Sequence, residues 1–415
     1  MAQLSDDCFA FGGALLPLEE ARRLIVERVK VVADVETVAL MQADGRTLAE
    51  AVAAPRDVPG FTNSAVDGYA VRFDDLSPDA ETRLVRDGRI AAGQTPADPL
   101  AAGRAARIFT GAALPVGADT VIMQEDCRED GDMVLIRPGI RLGANRRLAG
   151  EDIAAGSVAL AAGRRLGPAE LGMLAALGQS VVPVRRRLSV ALFSTGDELR
   201  EPGQSLAAGQ IYDANRFMLA SMLVRAGVVV SDRGILPDRP GALAEALVDA
   251  AARHDLIVTS GGVSTGEEDH VRNVIASHGS LFFWRLAIKP GRPVALGQIG
   301  GTPLIGLPGN PVAALVTFAA VARPLIEAMT GMLPRVPRRF AMVSGFSYRK
   351  KAGRREYVRV SVEAGDGGRL RRFPKEGAGM LTSLTETDGL AELPESMTQL
   401  EPGMAVDFIP YGEML

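Results

Sequence analysis

The chain has 415 residues, 47% of them apolar and 23% charged, with a net charge of −4. That is the balance of a soluble globular protein with ample core, and it leaves no basic excess to neutralise a nucleic-acid backbone. Two isolated cysteines (Cys8 and Cys127) and three histidines (His254, His270 and His278) in no ligand spacing exclude a disulfide framework, a zinc ribbon and an HExxH site. The start of the chain, MAQLSDDCFA, is acidic where a signal peptide is basic. The longest apolar run, residues 312–321, is closed by Arg323 and Pro324 and is too short to span a bilayer. The expectation is a reduced, cytoplasmic protein with neither membrane nor nucleic acid as partner.

Residues 18–32 (LEEARRLIVERVKVV) carry helical apolar spacing, and an Ala-rich stretch follows that turns at Asp44-Gly45. From 55 to 153, short apolar runs punctuated by Gly and Pro predict a mostly β unit. Residues 163–178 predict a helix with Pro168 in its first turn, followed by VVPVRRR as a connector. From 188 to 330 the pattern alternates strand and helix, which predicts a parallel sheet covered on both faces. Short strands return after Pro337. The expected fold is multidomain α/β and β: a discontinuous N-terminal unit (1–56 plus 153–187), a mostly β unit (57–152), a doubly wound α/β unit (188–336) and a small C-terminal β unit (337–415).

Three turns at strand ends carry the chemistry. In DLIVTSGGVSTGEED a buried run ends at Ser260-Gly261-Gly262, ahead of an expected helix near Asp269. Two glycines let backbone approach an anion, with a tight strand-to-helix turn as the competing reading. The acids Glu267, Glu268 and Asp269 beside an anion cradle make sense if a divalent cation bridges carboxylate and phosphate. Ser194-Thr195-Gly196-Asp197-Glu198 repeats the design, with helix capping as the competing reading. In Gly306-Leu307-Pro308-Gly309-Asn310-Pro311, Pro311 fits a first helical position, where backbone N–H groups suit an oxyanion. Lys289, followed by Pro-Gly and then Arg292, is a point charge for a phosphate or oxyanion, or a solvated lysine.

The motifs NSAVDGYA, RIFTGAALPVGADTVIMQED, NRRLAGEDI, FSTGDEL, GQIYDANR, TSGGVSTGEED, LAIKPGRP and GLPGNPV occur in order over nearly the whole chain. Together they resemble the molybdopterin molybdenumtransferase family, which includes bacterial MoeA and the gephyrin E domain. The resemblance implies conversion of adenylyl-molybdopterin and molybdate to molybdenum cofactor and AMP, with Mg²⁺. It also implies an elongated homodimer whose cleft lies between the α/β unit of one subunit and the β unit of the other. Implied partners are a molybdopterin adenylyltransferase and the downstream cofactor-handling proteins or apoenzymes. By the same resemblance Asp67 and Thr110 face the cleft, and Glu198, Asp238 and Asp269 are the key carboxylates, with Glu198 and Asp269 on the metal. Ser260, Gly261, Gly262 and Ser264 cradle the pterin phosphate region. Lys289, Arg292, Pro308 and Pro311 handle the oxyanion, and Arg354 and Ser383 lie near molybdate. The chain departs from the family pattern at Thr62, Val66 and Arg292, where Asp, Met and Lys are common. The alternative function is a non-catalytic cofactor carrier or scaffold.

Overall fold

The structure is a computed structural model that describes residues 15–96, 98–236, 239–262, 270–365 and 368–414. Its central unit is a six-stranded sheet in the order Val229–Leu236, Ser189–Thr195, Leu256–Ser260, Thr302–Leu307, Pro293–Ile299, Gly279–Arg285. The first three pairings are parallel and the last two antiparallel, so Pro293–Ile299 alone runs against the other strands. The wholly parallel sheet expected from the alternation is therefore corrected. Gly300 and Gly301, at φ 57° and 90°, join two strands in a tight hairpin, and a hairpin reverses the chain where a crossover helix would not.

Both faces of this sheet are covered. Leu219, Met222 and Leu223 of the helix Asn215–Arg225 pack on one face, together with the apolar helical stretch that begins at Pro311. Leu243, Leu247 and Ala250 pack on the other, with Val271, Val274 and Ile275. The stretch from Pro311 to Met329 has the length and hydropathy to cross a membrane, but 89% of it is buried inside the fold, so it serves as a core helix. It runs on through Arg323 and Pro324 to Met329, as the run VAALVTFAAVARPLIEAM implies. A π-helical turn, Phe318–Ala322, absorbs the missing proline N–H, and Glu327 accepts from the buried Arg323 at 2.9 Å one turn on.

The first helix is shorter than expected, Leu18–Arg28. The β-branched residues after it favour extended backbone, and Val32 docks instead by donating to the Met329 carbonyl at 2.9 Å. The expected connector VVPVRRR is a strand, Val181–Arg185, paired antiparallel with Val35–Ala39. Its Val182 and Val184 alternate into an apolar cluster with Leu48 and Leu174. Residues 68–136 form a second six-stranded sheet.

The C-terminal sheet closes on itself. The order Arg355–Glu363, Arg369–Arg372, Phe340–Ser344, Ala405–Pro410, Gly389–Leu393 returns to pair with Arg355–Glu363. The segment Ile288–Lys289, leaving the central unit, adds to this barrel as a parallel pair with Arg355 and Glu356. Ion pairs tie the same seam: Arg355 reaches Glu19 on the first helix at 2.7 Å and Glu392 in the barrel at 3.3 Å.

Burial pushes the Glu392 carboxyl up, but Arg339, Arg355 and the Tyr357 hydroxyl outweigh it and hold Glu392 below the ordinary carboxylate range. A depressed carboxylate stabilises the fold above its unfolded value, about 4.3, and that contribution is lost as pH falls through the lower folded value. Melting temperature is expected to fall once pH drops below about 4, and Glu392→Gln should flatten that fall. Melts at stepped pH measure both.

Candidate active site

The three Gly-bearing turns meet because their strands are neighbours. Ser189–Thr195, Leu256–Ser260 and Thr302–Leu307 lie side by side and parallel, so their carboxyl ends open on one cleft, the usual ligand position in such sheets. The cleft measures about 730 Å³ and is lined by Thr195, Glu198, Asn215, Ser260, Gly261, Gly262, Pro308 and Pro311, among others. Gly261 and Gly262 sit at φ 87° and 65°. A Cβ on Gly261 would lie 2.6 Å from the Thr195 carbonyl oxygen, and one on Gly262 would lie 2.5 Å from Val271. Backbone therefore approaches backbone where side chains have no room, as an anion cradle requires. The Thr195 hydroxyl is buried beside them with no partner among the described residues.

Asn215 is a residue that sequence reasoning missed, although its motif, GQIYDANR, stood out. It donates both amide hydrogens, one to the Ser260 hydroxyl at 2.9 Å and one to the Gly309 carbonyl at 2.8 Å, and so ties two of the turns together. Its neighbour Arg216 is buried and holds three carboxylates: Asp213 at 3.0 Å, Glu201 at 2.5 Å, and Asp232. This network anchors the loop that carries Glu198 and Tyr212 along the cleft. Asp213 is only 1% exposed, so Arg216→Ala strands its charge. The expected cost is about 3–5 kcal/mol, read by urea unfolding.

After Thr195 a loop with the short pair Leu199–Arg200 and Ile211–Tyr212 intervenes before the helix Asn215–Arg225, so the turn does not cap a helix directly. At the third turn Pro311 has no N–H, and Val312 donates its own to the Ala378 carbonyl at 3.0 Å. That first-turn donor is thus spent on the barrel rather than offered to an oxyanion.

The same contact forms the wall of a second, smaller pocket of about 190 Å³ at the seam with the C-terminal barrel, lined by Lys289, Pro290, Val312, Tyr348, Glu356, Arg359 and Arg372. Pro311 and Gly379 face the cleft, while Val312 and Ala378 face this pocket, so one strip of backbone separates the two spaces. Arg359 donates to the Gly377 carbonyl at 2.7 Å and to the Ser383 hydroxyl at 2.9 Å, which holds that strip in place.

Glu198, Ser260, Gly261, Gly262, Pro308 and Pro311 thus come together in the cleft, and Lys289 stands in the adjoining pocket. Arg292 lines neither space, although Pro290 and Pro293 on either side of it line one each. Ser383 is buried behind Arg359. Arg354 lines neither space and donates to Glu356 at 2.6 Å, while Arg359 lines the smaller pocket. In GRREYVR the arginines look alike locally, and barrel closure decides which one faces inward. Asp67 accepts from the backbone and the hydroxyl of Thr110, both at 2.8 Å, and the backbone bond first holds its carboxyl below the usual range. This pair belongs to the β unit and does not line the cleft of its own chain. Asp238, Ser264 and Asp269 lie outside the described residues.

Comparison with known proteins places these features in a family. Three family models match in succession: the MoeA N-terminal region (domain I and II) over residues 16–178, the "Probable molybdopterin binding domain" over 191–328, and the MoeA C-terminal region (domain IV) over 341–411. The molybdopterin molybdenumtransferase of Haemophilus influenzae is 36% identical over 409 residues, 97% of this chain and 100% of the relative. The chain belongs to the MoeA family. The Nostoc molybdopterin molybdenumtransferase is 39% identical, covering 90% of this chain and 88% of its own length. The crystal structure of a MoeA protein from Pyrococcus horikoshii OT3 superposes with a TM-score of 0.80 at 29% identity, covering 96% of this chain and 100% of that one. Family membership accounts for both the multidomain α/β and β architecture and the motif order.

Proposed function

We propose that the protein is a molybdopterin molybdenumtransferase of molybdenum cofactor biosynthesis, which takes adenylyl-molybdopterin and molybdate and releases the cofactor and AMP. The observation that carries this reading is the strip Pro311-Val312 against Ala378-Gly379, which separates a phosphate-type cradle from a cationic pocket by one layer of backbone. The cleft, with Gly261, Gly262 and the Thr195 hydroxyl, suits the pyrophosphate of an activated pterin. The pocket, with Lys289, Arg359 and Arg372, suits a small dianion such as molybdate. Cleavage of a phosphoanhydride between fixed donors requires positioning and charge neutralisation rather than a covalent nucleophile.

Mg²⁺ fits the donor set as a shared ion. Among the described residues no cage of three or more acidic, His or Cys side chains exists, but Mg²⁺ takes only one or two carboxylates when substrate phosphates supply further oxygens. Two described carboxylates line the cleft, Glu198 and Asp213, and Asp213 is already held by Arg216 at 3.0 Å, which leaves Glu198 to take the ion. When bound, the ion would neutralise charge developing on the pyrophosphate. Asp67 and Thr110 do not line the cleft of their own chain; on this reading a second copy supplies them, and the working unit is a homodimer in the cytoplasm.

The test is incubation of the purified chain with adenylyl-molybdopterin and Mg²⁺, with and without molybdate. Molybdate-dependent AMP release is expected. Tight pterin binding with no AMP release in either case would instead make the protein a carrier.

A further inference from the structure

The cationic pocket contains a buried acid for which oxyanion binding has no direct use. Glu356 is 1% exposed, and it already has a full partner in Arg354, whose Nε donates to it at 2.6 Å. It therefore does not need Lys289 for compensation. Lys289, with 48% of its side chain exposed, is free to extend into water, yet it turns back towards the barrel. Its Nζ donates to the Tyr348 hydroxyl at 3.3 Å and lies 3.4 Å from Glu356 Oε2. Tyr348 spends its own hydrogen on Glu356 Oε2 at 2.8 Å, which leaves its oxygen to accept from the amine. The ring of Tyr348 is fixed in turn by the Arg372 guanidinium, 4.8 Å from the ring centroid. Backbone pairing sets Lys289 directly opposite Glu356, so main chain and side chain constrain the lysine together.

We propose that Tyr348 and Glu356 of the C-terminal barrel are a positioning pair for Lys289: they fix the direction of its ammonium so that its remaining N–H groups face the pocket. This rests on the reading that the pocket takes the oxyanion. A lysine on a four-carbon stem loses considerable rotamer freedom when it binds an anion, and a site that orders it beforehand spares that loss at each binding event. The protonation states agree. Burial raises the Tyr348 phenol, and the hydrogen bond to Glu356 raises it further, so it stays protonated. Burial pushes Glu356 up, but Tyr348, Arg354 and Lys289 hold it below the ordinary range, so it stays ionised. The C-terminal barrel is on this account part of the catalytic apparatus rather than an appendage, since it orients a cation that leaves the central unit.

The decisive variant is Tyr348→Phe, which keeps the ring under Arg372 and leaves the Glu356–Arg354 bond in place. It is expected to raise KM for molybdate about tenfold, to leave kcat at saturating molybdate within about twofold, and not to change adenylyl-molybdopterin affinity. Glu356→Gln serves as the second variant and should raise the same KM. A purely structural role would instead lower melting temperature, kcat and pterin affinity together. The double variant Tyr348→Phe with Lys289→Ala should be no worse for molybdate than Lys289→Ala alone, because the pair acts through the lysine. Additive losses would overturn the proposal, as would a molybdate KM unmoved by either Tyr348→Phe or Glu356→Gln. If Lys289→Ala itself leaves that KM unchanged, it is the oxyanion reading of the pocket that fails.

Discussion

Gly261→Ala is expected to reduce kcat/KM for adenylyl-molybdopterin by about 10²-fold or more. The backbone at 261 has φ 87°, and the added methyl would lie 2.6 Å from the Thr195 carbonyl oxygen. Left-handed backbone alone costs a non-glycine residue about 1–2 kcal/mol. The clash falls on main chain rather than on the end of a flexible side chain, so the turns after Thr195 and Ser260 must separate. Those turns are the floor of the cradle, and a displacement of about 1 Å at a reacting group costs on the order of 10²-fold. Gly172→Ala is the matched control. Gly172 lies in the helix Pro168–Ala176, and a Cβ there meets nothing within 4 Å. It should leave turnover unchanged and add about 0.5–1 kcal/mol of stability. Steady-state kinetics and urea unfolding on the two variants separate damage to the cradle from a general effect of replacing glycine.

Lys289→Ala is expected to raise KM for molybdate by about 10- to 100-fold, the worth of a charge-assisted hydrogen bond of about 1.5–3 kcal/mol. Pterin affinity should be unaffected, because Lys289 stands in the smaller pocket and not among the residues lining the cleft. The variant should fold, since Arg354 remains on Glu356 at 2.6 Å and no buried charge is stranded. Kinetics at varied molybdate, with pterin affinity measured separately, test both statements. Equal losses for both substrates would place Lys289 outside the oxyanion path.

The cradle was readable in the sequence because its signals are local. Glycines after apolar runs imply strand ends, and the chain order of strands and helices makes those ends neighbours. The turn at Thr195 was ambiguous for the same reason: Ser, Thr and Asp after a strand satisfy helix capping as well as a loop, and tertiary packing on Arg216 sends the chain into the loop first. The smaller pocket was half visible. Lys289 stood out as one of few lysines, but Tyr348, 59 residues on, carries no mark of its role until the barrel closes and sets it beside the amine. Arg354, Arg355 and Arg359 share one short stretch and diverge in space to Glu356, to Glu19 and Glu392, and to Ser383 respectively. Neither composition nor spacing separates them, since the barrel's register makes the assignment. The antiparallel end of the central sheet was hidden in the same way, behind a Gly-Gly pair whose hairpin meaning depends on φ.

The central claim is that one strip of backbone separates the oxyanion from the activated pterin. Anomalous diffraction at the molybdenum edge, from crystals soaked in molybdate, tests it most directly. A molybdenum peak is expected within hydrogen-bonding reach of Lys289 and Arg359, on the barrel side of the Val312–Ala378 contact. A peak elsewhere with that pocket vacant, in crystals of protein that turns over in solution, would contradict it.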